Sequence, residues 1–277
     1  MQFTKYTGLG NDFVFLDGQN ALSVQDPFSM AVRMCDRRFG VGADGLVLLL
    51  PSDKADVRMR IINSDGSEAE MCGNASRCVA LHMFTHGLAD KKQISLDTLA
   101  GIIRTDITSL DKKLVRVDMG QPRLTRGLIP MTGTSDERAV NVPLDVNGTQ
   151  IFGTAVSMGN PHFVTFVENA QTAPVAELGP LLETHPAFPR KTNVEFVQVL
   201  DDKTVRMRVW ERGAGITSAC GTGACATAAA CVLNGKTGQR VTVKLDGGDL
   251  LIEWPEHKNI FMTGPAREVF TGDWPEN

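Results

Sequence analysis

The chain has 277 residues, of which 42% are hydrophobic and 22% charged, with a formal net charge of −4. That is the balance of a globular protein with enough apolar material for one large domain or two smaller ones. No long basic run supports nucleic acid or an anionic membrane surface as a partner, and no run approaches the roughly 20 apolar residues that span a bilayer.

The opening segment "MQFTKYTGLGNDFVFLDG" lacks the basic and apolar regions of a secretory leader. Six cysteines, at 35, 72, 78, 220, 225 and 231, are no disulfide scaffold in a chain of this length. A cytoplasmic protein with reduced thiols is therefore expected.

In chain order, the first motif is Gly40–Gly45, "GVGADG", which matches G-x-G-x-x-G. A dinucleotide fingerprint needs a strand before it and a helix after it. Here an Arg-rich helical stretch precedes and the strand-like "LVLLL" follows, so the motif is read as a helix-to-strand turn. Next, Val57, Met59 and Ile61 alternate with Arg58 and Arg60, the pattern of a half-buried strand. A Gly/Ser/Asp-rich turn leads to Cys72, then to a helix carrying Val79, Ala80, Leu81, Met83 and Phe84 that stops near Gly87. Most other segments are short, β-branched and punctuated by Gly, Asn-Gly or Asp-Gly.

The same order then repeats. "VRMR" at Val57 recurs at Val205, and Cys72 has its counterpart in Cys220, both 148 positions on. "GNDFVF" from Gly10 matches "GNPHFV" from Gly159, 149 positions on, which makes His162 the counterpart of Phe13 and, at the 148 spacing, Asn193 that of Gly45. A period this long is a duplicated domain, not a solenoid. The second helix, "GACATAAACVLNG", is apolar nearly all round and stops at Asn234-Gly235; such a helix is buried. Each half is predicted to be α+β, a curled sheet around one buried helix.

The cysteine spacings, C-x5-C in the first half and C-x4-C-x5-C in the second, are not those of a structural zinc site, and no redox C-x-x-C occurs. Cys35, Cys78, Cys225 and Cys231 sit in apolar helical context and are expected to pack in cores. His82, His86, His185 and His257 are assigned to surface or satisfied core positions.

Cys72 and Cys220 differ from the others because each precedes a glycine at a helix start. A helix N-terminus carries partial positive charge and unpaired N–H groups. It lowers a thiol's pKa toward the reactive thiolate and binds carboxylates. A mere cap would be better served by Ser, Thr, Asp or Asn. Two related halves presenting two thiols to one substrate suit inversion at a carbon acid: one thiolate takes the α-proton and the other thiol delivers one to the opposite face. Helix N-termini aimed at the α-carboxylate would stabilise developing charge, so no pyridoxal cofactor is required.

With these residues in view, the chain resembles the diaminopimelate epimerases. The matching blocks are "GLGNDFVFLDG" from Gly8, "INSDGSEAEMCGNASRC" from Ile62, "VSMGNPHFV" from Val156, "NVEF" from Asn193 and "ERGAGITSACGTGA" from Glu211. The related proline racemases and hydroxyproline epimerases typically have C-G-H-G at the first cysteine, where this chain has Cys72-Gly73-Asn74-Ala75.

The resemblance implies interconversion of LL- and meso-diaminopimelate, with Cys72 and Cys220 as base and acid and no metal or other cofactor. It implies that Gly73, Asn74, Gly221 and Thr222 hold the α-carboxylate. It further implies that Asn11, Asn63, Asn160, Asn193, Glu211 and Arg212 bind the rest of a diamino dicarboxylate, and that His162 and Glu211 tune the thiols. A homodimer is implied, with domains 1–118 plus 264–277 and 119–263, the last strand returning to the first. Gly45, Ile216 and Ala75-Ser76 depart from the commonest family pattern and remove no proposed catalytic group. The competing readings are a proline- or hydroxyproline-type racemase and a zinc- or redox-binding protein without activity.

Overall fold

The computed structural model describes residues 1–275. Of these, residues 1–118 and 263–275 belong to one compact unit and residues 119–262 to another. Each is described by itself.

The first unit contains β1 (Gln2–Gly8), β2 (Asn11–Leu16), α1 (Pro27–Cys35), β3 (Gly45–Leu50), β4 (Val57–Asn63), α2 (Gly73–Thr85), β5 (Gln93–Thr98), β6 (Gly101–Ser109) and β7 (Leu114–Asp118). The second contains β8 (Val142–Val146), β9 (Thr149–Ser157), β10 (Pro161–Phe166), α3 (Val175–Glu183), β11 (Asn193–Asp201), β12 (Thr204–Glu211), α4 (Gly221–Leu233), β13 (Arg240–Leu245) and β14 (Gly248–Glu253). The final strand, β15 (Arg267–Asp273), returns to the first unit and pairs with β1.

The duplication read from "VRMR" is a duplication of register. In the first unit β2 runs parallel to β3 with Phe13 opposite Gly45, and β3 runs antiparallel to β4 with Leu46 opposite Ile62. In the second, β10 runs parallel to β11 with His162 opposite Asn193, and β11 antiparallel to β12 with Val194 opposite Trp210. The parallel pairing of β4 with β5, Val57 opposite Leu96, repeats as β12 with β13, Val205 opposite Val243. At the sheet edge β15 takes beside β1 the place that β8 takes beside β9.

A single helix lies at the centre of each unit. Helix α2 touches β1, β5, β6, β7 and β15, and α4 touches β9 to β14. One straight rod reaches so many strands only if the sheet curls around it. The sequences allow this differently. In α4 the side chains are mostly Ala, Cys and Thr, and residues 223–231 are all buried. Helix α2 instead carries the buried Arg77, whose Nε donates to the Pro265 carbonyl at 3.1 Å.

The run "LVLLL" is apolar throughout because both faces of β3 are covered. Val47 and Leu49 join the core around α2, while Leu46 and Leu48 join a second core under Ala31, Met34 and Cys35 of α1. Gly40–Gly45 joins α1 to β3, the helix-to-strand turn expected of it. Cys35, Cys78, Cys225 and Cys231 are buried, as predicted.

Close packing leaves no free space for a side chain at Gly153 in the second unit. A Cβ on Gly153 of β9 would lie 2.3 Å from Cζ of Phe163, a core ring packed edge-on against Phe188. Overpacking of this kind costs about 1–3 kcal/mol. Gly153→Ala should lower the urea midpoint accordingly, whereas Gly238→Ala, which would meet no atom within 4 Å, should leave it within experimental error.

Candidate active site

Both helix-start cysteines are N-caps. Cys72 (φ −140°, ψ 116°) and Cys220 (φ −122°, ψ 109°) have extended backbones, and each carbonyl accepts the first helical hydrogen bond, from Ser76 and Ala224 at 2.9 Å. The extended cap turns the side chain toward the open N–H groups of the first turn. Each thiol is therefore placed at the positive end of a 13-residue helix.

In the first unit, the structure brings together Asn11, Cys72 and Asn74. Asn11 opens β2, and its Oδ1 accepts from Asn74 Nδ2 at 3.3 Å and faces the Cys72 thiol at 3.7 Å. Its amide donates to Asp44 Oδ2 at 2.6 Å. Asp44 also accepts from the Asp12 N–H and from Arg37. Gly73 and Asn74 form the first turn of α2 and are buried, and Asn74 Oδ1 has no hydrogen-bond partner among the described residues. Asn63, the last residue of β4, is instead engaged with Ser67 Oγ at 2.9 Å.

In the second unit, Asn160, His162, Glu211, Cys220 and Thr222 converge. Cys220 Sγ accepts from the Gly223 N–H at 3.4 Å and lies 3.5 Å from Thr222 Oγ1. Asn160 Nδ2 donates to Thr222 Oγ1 at 3.3 Å, and Asn160 Oδ1 lies 3.1 Å from His162 Nε2. Glu211, at the end of β12, accepts from Thr217 Oγ1 and shares a hydrogen bond with the Cys220 thiol. Asn193, which opens β11, spends both ends of its amide on the protein: Nδ2 donates to the Pro161 carbonyl at 2.8 Å and Oδ1 accepts from the Arg212 N–H at 2.9 Å. Arg212 itself is exposed, its Nη1 on the Arg190 carbonyl at 3.1 Å. Gly221 follows Cys220 as the first residue of α4.

One expectation is corrected. A helix N-terminus was predicted to hold the thiol as thiolate, yet the Cys220 thiol is pushed well above its ordinary value. Burial is the main cause, because it disfavours the charged form. The carboxylates of Glu211 and Glu195 add to it, and the hydrogen bonds from Thr222 and Gly223 oppose it only in part. Burial also raises Glu211, against the lowering effects of Thr217, Cys220 and His162. A carboxylate raised in this way is a better proton acceptor than an ordinary one, and it lies beside the thiol that must lose a proton.

Glu195 is the residue that sequence reasoning missed. Its Oε1 lies 2.6 Å from His162 Nδ1, and both side chains are fully buried. A Cβ on Gly223 would lie 2.7 Å from Glu195 Oε1 and 3.2 Å from Cys220 Sγ, so the glycine lets α4 start against this group. The available signal was a carboxylate inside an apolar strand, "NVEFV", at the position where the first half has Val47.

Among the described residues no cluster of His, Cys, Asp or Glu is arranged to hold a metal ion, and no helix is long and apolar enough to cross a membrane.

Comparison with known proteins bears on this geometry. The family model for diaminopimelate epimerase matches residues 3–125 and 154–269. The chain belongs to the diaminopimelate epimerase family. It is 57% identical to the diaminopimelate epimerase of Pelotomaculum thermopropionicum over 278 aligned positions, covering 99% of each chain. It is 51% identical to that of Methanococcus maripaludis, again over 99% of each.

Among solved structures, a probable proline racemase from Agrobacterium radiobacter shares the fold with a TM-score of 0.73 at 18% identity, over 100% of this chain and 93% of that one. A hydroxyproline epimerase from Agrobacterium vitis does so at 0.70 and 17%, over 98% and 91%. The α+β architecture read from the sequence is that of these racemases and epimerases. Family membership makes the chain an isomerase acting on an amino acid.

Proposed function

We propose that the chain interconverts LL- and meso-diaminopimelate by direct proton exchange at Cα, with Cys72 and Cys220 serving opposite faces of that carbon. The observation that carries this reading is the equivalence of the two thiols: each caps the central helix of its unit, one duplication apart, with a glycine following. One thiol gives its proton to a neighbouring base and, as thiolate, takes the Cα proton. The other delivers its own proton to the opposite face of the carbanion. Each turnover leaves the two thiols with exchanged proton content, so a proton must return before the next cycle in the same direction. Glu211, hydrogen-bonded to Cys220, is the group placed to carry it.

The α-carboxylate is held by the N–H groups of the first turns, Gly73-Asn74 and Gly221-Thr222, where helix dipoles stabilise charge that develops in the transition state. The developing carbanion is thus stabilised by the protein alone, and no cofactor is called for. Asn11 and Asn160 supply the polar wall beside the thiols, Asn63 and Asn193 extend it once their amides turn from Ser67, Pro161 and Arg212, and Arg212 pairs with the distal carboxylate. A proline-type substrate has no distal zwitterion for Arg212 to bind. Removing a charge-assisted hydrogen bond costs about 1.5–3 kcal/mol, so Arg212→Met should lower kcat/KM for diaminopimelate by roughly 10- to 100-fold, mainly through KM.

The reading is tested by assaying purified protein with LL-diaminopimelate and with 4-hydroxyproline in heavy water. Two distinct bases predict deuterium in the first product formed and none in the substrate that remains. Turnover of hydroxyproline alone would overturn the substrate, and equal early labelling of both species would overturn the two-thiol mechanism. We further propose that the enzyme is a cytoplasmic homodimer, which light scattering of the purified protein would report as twice the 30.0 kDa chain mass.

A further inference from the structure

The two half-sites are built on one register but wired in opposite senses. Asn11 and Asn160 are counterparts in the duplication, as are Asn74 and Thr222. In the first unit, Asp44 draws the Asn11 amide to itself, which leaves the Asn11 carbonyl facing Cys72 and Asn74. In the second, the Asn160 carbonyl is turned to His162 Nε2, which leaves its amide facing Thr222.

Donor and acceptor rules then fix the hydrogens. A carbonyl oxygen only accepts, so His162 Nε2 must carry a hydrogen. Asn160 Nδ2 only donates, so Thr222 Oγ1 accepts from it and turns its own hydrogen to Cys220 Sγ. The Cys220 sulfur thereby meets two donors, the Thr222 hydroxyl and the Gly223 N–H, beside the Glu211 carboxylate, whereas the Cys72 sulfur lies 3.7 Å from an acceptor, the Asn11 carbonyl.

The start of the second chain is Glu195. It lies against His162 Nδ1 at 2.6 Å, with both side chains wholly buried. Whether the shared hydrogen sits on nitrogen or oxygen, Nδ1 is occupied by that contact, and Nε2–H is left to point at Asn160. The counterparts of His162 and Glu195 in the first unit are Phe13 and Val47, both in the apolar core around α2. The duplication thus keeps an apolar pair in one half and a buried ionisable pair at the same register in the other. A buried pair of this kind is seldom favoured over apolar side chains for stability alone.

We propose that Glu195 and Asp44 are positioning residues that set opposite hydrogen-bond polarity at the two thiols. Glu195, through His162, Asn160 and Thr222, directs donors at Cys220 and favours its ionised form. Asp44, through Asn11, directs an acceptor at Cys72 and favours its protonated form. These hydrogen bonds favour Cys220 as base and Cys72 as acid, against the burial that raises the Cys220 thiol. The charged groups that also face Cys220 are Glu211 and Glu195 themselves, and both oppose its ionisation. The hydrogen-bond chain acts against them.

This rests on the assignment of Cys72 and Cys220 as the exchanging pair, but its test reads thiol reactivity rather than turnover. In Cys72→Ala protein at pH 8, the rate of iodoacetamide addition to Cys220 is followed by peptide mass. The thiolate is the reacting form, and loss of one charge-assisted donor lowers its population by about tenfold. Thr222→Val should slow the labelling by about tenfold, and Glu195→Ala should label about tenfold more slowly than Glu195→Gln, which loses the same charge, a difference that should vanish in the Thr222→Val background. Glu195→Gln removes the same carboxylate, but its amide can donate to Nδ1 and keep Nε2–H in place, so labelling should stay within about threefold of the parent.

In Cys220→Ala protein, Asp44→Ala frees the Asn11 amide to turn, and labelling of Cys72 should accelerate by about threefold or more. Equal rates in Glu195→Ala and Glu195→Gln, an undiminished difference between the two without Thr222, or slower Cys72 labelling in Asp44→Ala would each overturn the proposal. Should Glu195→Ala fail to fold, the nitrogen-15 shifts of His162 decide: Nε2 protonated in the parent and in Glu195→Gln is expected, and an unprotonated Nε2 in either overturns it. Loss of epimerase activity with the labelling pattern intact would instead count against the functional reading alone.

Discussion

Cys72→Ala and Cys220→Ala should each lower kcat for epimerisation by about a thousandfold or more, measured by chiral separation of LL- and meso-diaminopimelate. A positioned general acid or base contributes about 10²–10⁴ in rate, and here nothing can replace either one, because inversion needs a proton removed from one face and another added to the other. The stability cost is small by comparison. Losing a helix cap costs about 1 kcal/mol, and Cys72 makes no capping hydrogen bond with its side chain.

The two variants also separate inversion from exchange. A single remaining thiol can remove the Cα proton and return a solvent-derived one to the same face, so deuterium should still enter one stereoisomer slowly while its configuration is retained. Inversion surviving within tenfold of wild type in either variant would refute the two-thiol assignment, whatever happened to exchange.

How much of this was legible in the sequence follows from which signals are local. The duplication could be read from "VRMR" and the two Cys-Gly pairs because strand alternation and helix starts are short-range patterns. The register then made His162 the partner of Asn193 just as Phe13 is that of Gly45. Burial was harder to read. Cys220 was expected as a thiolate from its place at a helix start, yet the depth of that position reverses the balance, and depth depends on strands far away in sequence.

Glu195 was hidden for a related reason. In "NVEFV" it reads as one polar residue in a strand, and only the parallel pairing of β10 with β11 brings it to His162. Asp44 sat inside a turn whose glycines drew attention to nucleotide binding. Its role emerges only when its carboxylate is seen to hold the Asn11 amide. For Glu195 the comparison of counterparts, Val47 with Glu195 and Phe13 with His162, was already available in the repeat. A charged pair replacing an apolar one at equivalent core positions is the more general clue.

Alkaline pH should unfold the protein, with the cysteines outside the active site among the causes. Burial pushes the thiols of Cys35, Cys78 and Cys231 up to about 12 each, because the packed interior excludes the thiolate. In the unfolded chain the same groups ionise near 9, the ordinary value of a cysteine. The folded state therefore holds protons that the unfolded state releases, so the stabilisation is complete below about pH 9 and is lost as pH rises toward 12. Each thiol contributes a slope of about 1.4 kcal/mol per pH unit across that window.

Cys35 and Cys78 lie in the same compact unit, which should therefore lose about 3 kcal/mol per pH unit from these two groups. Against a typical domain stability of about 5–15 kcal/mol, a unit in the lower part of that range is exhausted before pH 12. Guanidinium unfolding at intervals from pH 8 to pH 11 measures the slope directly. Cys78→Ala should begin from a lower stability, since a buried side chain is truncated, but should decline less steeply by about 1.4 kcal/mol per pH unit. That change of slope is the decisive quantity, because a packing defect shifts the whole curve and leaves its pH dependence untouched. An unaltered slope in Cys78→Ala would mean that alkaline unfolding is driven by other groups and that the buried thiols ionise without consequence for the fold.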